Sequence, residues 1–179
     1  RCENRLLHYI RIFGTGADGS VFALAVQTNG AVLAGGAFTT FNQLSRNRIT
    51  RLTSVGAIDT TFDPYQAANN NINTIVLDAN QQAVIAGAFT NYNGTPRNRL
   101  ARLLTNGVLD TTFMDPTLNY HAGPTNALAF LNCVAIQTNG DMLIGGSFTA
   151  FGAAFSEVSG AAAPAFSPFK SAVASVPAT

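Results

Sequence analysis

The chain has 179 residues, 47% of them hydrophobic and only 11% charged, with a formal net charge of +1 at pH 7. That length suffices for one domain with a real core. The near-zero charge excludes the long-range field that draws a protein to nucleic acid or to an acidic membrane surface.

No apolar run is long enough to cross a bilayer as a helix. The two cysteines, Cys2 and Cys133, are too few for a disulfide framework and show no metal spacing. Either one bridge joins them, within or between chains, or they are unrelated thiols. The chain begins at Arg1 without a signal-peptide pattern, which reads as a mature processed form or a fragment.

Residues 1–20 form an N-terminal segment. In it, Asn4-Arg5-Leu6 matches two later triplets, Asn47-Arg48-Ile49 and Asn98-Arg99-Leu100. Ile10, Ile12 and Phe13 then supply strand character before a turn over residues 14–19. The segment is therefore expected to be the back half of a repeat.

Residues 21–64 are the first complete repeat. Val21 to Val26 and Ala31 to Phe38 read as two strands around Asn29-Gly30, a strong hairpin signal because both residues tolerate positive φ. Both strands are apolar on both faces and are expected to be buried on both faces. Gly35, Gly36 and Ala37 would let neighbouring backbones approach closely. Thr39 to Ser45 reads as a polar loop, and residues 46–52 as a more exposed strand. Residues 58–64 read as a short fourth strand. Four strands in about 50 residues match one propeller blade.

Residues 65–116 carry the second repeat, with Gly36 returning as Gly87, a step of 51 residues. Residues 117–151 hold a partial third repeat, with Gly87 returning as Gly146 after a longer step of 59. Residues 152–179 form an Ala/Ser/Pro-rich tail, expected to be extended or disordered.

Four linked motifs recur: residues 23–30, residues 35–41, Arg46 to Leu52, and Gly56 to Phe62. With these motifs, the region from Val21 to Phe151 resembles the delta-60 repeat, a bacterial propeller-type repeat. The resemblance implies large secreted or surface proteins of bacteria, built as β-propellers, with no general enzymatic activity attached. Two complete repeats and two halves fall short of the roughly four blades a closed ring needs. The expected architecture is all-β: about three four-stranded antiparallel blades, not closed as a monomer.

Arg46, Arg48 and Arg51, with Arg97, Arg99 and Arg102, are the most conspicuous polar set. They read as an anion-binding face, or as partners of Asp59, Asp63, Asp110 and Asp115 between neighbouring blades. Recurrence of Asp in register with Arg favours the structural reading. Residues 59–63 lack the ligand density of a calcium loop. His8 and His121 sit in no catalytic or metal motif, and Cys133 reads as a small core residue. Asn93-Gly94-Thr95 is a weak glycosylation sequon. Phe38, Phe41, Phe89, Tyr92, Phe148 and Phe151 read as core before sugar-stacking groups.

The sequence thus leads to a non-enzymatic extracellular structural protein without cofactor or metal. It would assemble with itself, head to tail, into a filament or ring by completing blades between molecules. The expected subunit contact joins Asn4, Arg5, Leu6, Ile10 and Ile12 to Leu131 and Phe148. The alternative is a fragment of a larger secreted propeller that binds a glycan or a protein.

Overall fold

The computed structural model describes residues 14–113, 130–147, 156–157 and 171–176. The first repeat holds β1 (Val21–Val26), β2 (Val32–Gly36), β3 (Thr40–Phe41), β4 (Leu44–Ser45) and β5 (Ile49–Leu52). The second holds β6 (Ile72–Leu77), β7 (Ala83–Gly87), β8 (Asn91–Tyr92), β9 (Thr95–Pro96) and β10 (Leu100–Leu103). Then come β11 (Phe130–Ile136), β12 (Met142–Ser147), β13 (Ser156–Glu157) and β14 (Ser171–Val176). The described residues contain no helix. The architecture is all-β and propeller-like, built from small antiparallel sheets.

Each repeat makes one sheet, ordered β1-β2-β5 and then β6-β7-β10. The expected fourth strand is only a single bridge in each, Leu52 to Ile58 and Leu103 to Leu109. At its end the Asp59 and Asp110 amides still bond the Arg51 and Arg102 carbonyls, and the chain then turns as the two carboxylates accept from the Thr61 and Thr112 amides. The loop expected at residues 39–45 carries its own hairpin, β3-β4, repeated as β8-β9. Asn42-Gln43 and Asn93-Gly94 turn these hairpins with positive φ at both residues, the signature of a type I′ turn.

The Asn29-Gly30 turn differs from expectation, since Gly30 alone has positive φ. The Gly30 amide bonds the Gln27 carbonyl, and the Gln27 amide bonds the Ala31 carbonyl. This is a turn closed by one left-handed residue. The same pair of bonds recurs at residues 53–57, 78–82, 104–108 and 137–141. Glycine fills the left-handed position in four of the five copies; Gln81 fills it in the other.

One bulge shapes all three sheets. It falls between Val21 and Ala23, between Ile72 and Thr74, and between Leu131 and Cys133. There the opposing strand carries Gly36, Gly87 or Gly146. A Cβ on these glycines would sit 2.0, 2.1 and 2.3 Å from the carbonyl oxygens of Ser20, Asn71 and Phe130. The recurring glycine is therefore required by a close backbone approach, as its position in the strand indicated.

The sheets stack face to face. Leu33, Ile49, Phe62, Ile72, Ile75 and Ile85 contribute to the core between the first and second sheets. Val84, Leu100, Leu131, Val134 and Ile144 contribute to the core between the second and third. Phe38, Phe41, Phe89 and Tyr92 are all buried, which makes them core residues and removes them as sugar-stacking groups. Phe148 and Phe151 lie outside the described residues.

Two expectations about burial fail. Among the described residues the first sheet is covered on one face only, and β1 leaves Leu24 and Val26 exposed. Cys133 is a free, exposed thiol, because it points away from the second sheet. The tail also departs from its expected form. Ser171–Val176 pairs along the whole of β12, in the place β5 and β10 hold in their own sheets, and Ser156–Glu157 pairs beyond it. The third sheet thus has four strands, ordered β11-β12-β14-β13.

Candidate functional site

The recurring polar residues form two repeated knots. In the first, the Arg51 Nε donates to Asp59 Oδ2 at 2.8 Å, and its Nη2 donates to Thr61 Oγ1 at 2.9 Å. Asp59 Oδ1 accepts from the Thr61 amide and hydroxyl. The Arg51 guanidinium lies 5.2 Å from the Phe62 ring centroid, within cation–π range. The second repeat rebuilds the group with Arg102, Asp110, Thr112 and Phe113, the guanidinium 4.7 Å from its ring. Asp78 stands 3.9 Å from Arg102 as a further carboxylate. Spacing follows chemistry here: Asp must bind both the arginine on the neighbouring strand and the threonine two residues on.

These Arg–Asp pairs lie within one repeat, not between neighbouring blades as expected. Arg51 does cross over, but to a backbone group: its Nη1 donates to the Thr105 carbonyl of the second repeat. Burial pushes the Asp59 carboxyl up. The Thr61 hydroxyl, the Thr61 amide and Arg51 together outweigh burial and hold it below the usual carboxylate range. Asp110 behaves alike: burial is outweighed by the Thr112 hydroxyl, Arg102 and the Thr112 amide. Asp63 accepts from the Tyr65 amide, and Asp115 lies outside the described residues.

The other arginines brace backbone carbonyls. Arg48 Nη1 donates to the Ala37 carbonyl, and Arg99 Nη1 to those of Ala88 and Phe89 at 2.8 and 3.2 Å. Both residues are left-handed, with φ of 64° and 67°. Arg46 donates to the Ser45 carbonyl and Arg97 to that of Pro96. The six arginines therefore do not converge on one anion site. Leu131, expected at a subunit contact, is fully buried against the second sheet and serves the chain's own core. Asn4, Arg5, Leu6, Ile10, Ile12 and Phe148 lie outside the described residues, as do His8, His121 and Cys2.

The second knot escaped sequence reasoning because its residue changes identity. The Asp18 carboxylate accepts from the Thr39 hydroxyl and from the Thr39 and Thr40 amides, at 2.6 to 2.9 Å. The Thr39 hydroxyl, the Thr40 amide and the Thr39 amide, in that order, hold Asp18 far below the usual carboxylate range. Fifty-one residues on, Asn69 accepts from the Thr90 and Asn91 amides and donates to the Thr90 hydroxyl. The shared step of 51 residues was the signal available. Asn42 and Asn93 pair in the same way, their side-chain oxygens accepting from the Gly16 and Ala67 amides. That contact gives Asn93 a turn-holding role.

Between the first two repeats lies an open cleft of about 300 Å³. Asn47, Arg48, Gln66, Asn69 and Asn91 supply its polar lining. Among the described residues, no group of three or more His, Cys, Asp or Glu side chains gathers as a metal site would require. No helix among them is long and apolar enough to cross a membrane.

A stack of similar sheets, tied by duplicated knots, is the build of a propeller-type repeat. In agreement, a family model described as a domain of unknown function (DUF5122) beta-propeller matches residues 27–62 and 84–113. The matched segments run from the first hairpin turn to Phe62 and from β7 to Phe113, so each ends on the aromatic of its Arg–Asp–Thr–Phe knot. No curated protein matches the chain.

Proposed function

We propose that this chain is a non-enzymatic structural repeat protein of the cell exterior that assembles with copies of itself, head to tail, into a filament or ring. One observation carries the proposal: the sheet-on-sheet contact is made twice in succession, between the same faces and with the same bulge. A contact that joins one face to a different face extends by repetition, closing into a ring or continuing as a filament. The duplicated knots support a scaffold role, because their charged groups are engaged with one another. The delta-60 resemblance supports an extracellular bacterial setting. Electron microscopy of the purified chain over a range of concentrations tests the proposal. Regular filaments or rings with a subunit repeat are expected; monodisperse small particles throughout would contradict it.

The amide-lined cleft favours a second reading, a module that binds a glycan. Asn and Gln side chains offer both donors and acceptors to hydroxyl groups. Saturable binding from a glycan panel, lost in Asn47→Ala, would support this reading; a panel without binders would end it.

A further inference from the structure

The two outer faces of the sheet stack are the two halves of the contact the chain makes within itself. On the outer face of the first sheet, Val21, Leu24 and Val26 are 42%, 66% and 67% exposed. Their counterparts one repeat later are Ile72, Ile75 and Leu77. Those three occupy the same face of the second sheet and pack into the core it shares with the first.

The surface that receives them is made of small residues. Ala23 and Ala25 of β1 pack against that core. Gly35 of β2 leaves a slot so close that a Cβ there would meet Ile75 at 2.8 Å and Ile72 at 2.9 Å. The third sheet repeats this receiving surface. Cys133 and Ala135, both exposed, stand where Ala23 and Ala25 stand, and Gly145 stands where Gly35 stands.

We propose that a second copy of this chain docks here, seating its Val21, Leu24 and Val26 on Cys133, Ala135 and Gly145. This inference rests on the self-assembly reading above and names its contact. It places the joint between sheet faces and not between strand edges. The edge route through β12 is occupied, because β14 already pairs along it. Continuity with the interface inside the chain identifies the occupant: only another sheet of this type carries the same bulged apolar strand. None of the six residues is charged, so the contact is insensitive to screening by salt. A specific interface of this kind buries on the order of 1,200 Å² or more.

Sedimentation velocity of the full chain over a concentration series, at low and high salt, tests it. The wild type is expected to form concentration-dependent oligomers at both salt levels. Leu24→Asp and Ala135→Asp, each checked for folding by circular dichroism, should each weaken association at least about tenfold, the mark of an interface anchor. Leu44→Asp, at an exposed apolar residue in the small β3-β4 hairpin, should not. A mixture of Leu24→Asp and Ala135→Asp should stop at dimers, since each variant keeps the half the other has lost. If both folded variants still associate like the wild type, this contact is wrong and self-assembly stands. A wild type that stays monomeric throughout overturns both.

Discussion

The first and second sheets follow one plan, yet one strand position ends in opposite environments. Ile75 of β6 is 6% exposed, while its counterpart Leu24 of β1 is 66% exposed. The register, the bulge and the hairpin turn are shared, so local structure does not cause the difference. The neighbour differs: among the described residues the second sheet lies between two others, and the first is covered on one side. An apolar residue on a strand therefore states what its face can bury, and the neighbouring element decides whether it does. Burying a side chain of this size contributes about 1.5–3 kcal/mol relative to leaving it in water. That is the driving force available at the exposed face.

The sharpest way to break this comparison is to truncate both residues. Ile75→Ala should cost about 2–5 kcal/mol, the range for emptying a packed core site. Leu24→Ala should change the stability of the isolated chain by less than about 0.5 kcal/mol. Urea unfolding of dilute samples measures both, and equal costs would show that the two faces do not differ.

A smaller effect is expected where the repeats agree. Arg102→Met removes the partner of Asp110 and leaves that largely buried carboxylate without its guanidinium. The expected loss is about 1–3 kcal/mol, the desolvation penalty of an unsatisfied buried group. The double variant Arg102→Met with Asp110→Asn should recover part of it. A loss unchanged in the double variant would remove the pair from the account.

The smallest effect sharpens the contrast between Asp18 and Asn69. Asp18 has a lowered folded pKa, so the stability it contributes is complete above the unfolded carboxylate value near 3.8 and is lost as pH falls through the folded value. Asn69 holds the same amides without titrating. Asp18→Asn should flatten the acid limb of the stability curve below about pH 4, and Asn69→Asp should steepen it. Chemical unfolding at several pH values checks this, and parallel acid limbs in all three proteins would contradict it.

Much of this plan was legible in the chain because its motifs recur at a fixed step. Gly36 marked the close approach correctly, whereas the recurring Arg and Asp marked a pairing that forms within a repeat and not between blades. The Asp18 clasp stayed hidden, because aspartate and asparagine accept the same amide hydrogens and the substitution breaks the visible repeat. The exposure of β1 stayed hidden for a different reason. Apolar residues on both faces describe a strand able to be buried twice, and sequence does not say which neighbour is present. The strand Ser171–Val176 was missed because its Ala/Ser-rich composition resembles a linker; its place beside β12 comes from backbone pairing, which needs no particular side chain.

On this proposal the outer face of the first sheet and the outer face of the third are complementary halves of one contact. A cross-link tests it most directly. The Cys133 sulfur hangs over Gly145, where a Cβ would lie only 2.6 Å from it. Leu24→Cys, made together with Cys2→Ser, places a second thiol on the opposing half. Under mild oxidation a ladder of head-to-tail multimers is expected on non-reducing electrophoresis, collapsed by reductant and absent from Cys2→Ser alone. A folded Leu24→Cys protein that stays a single monomer band under the same oxidation would contradict it.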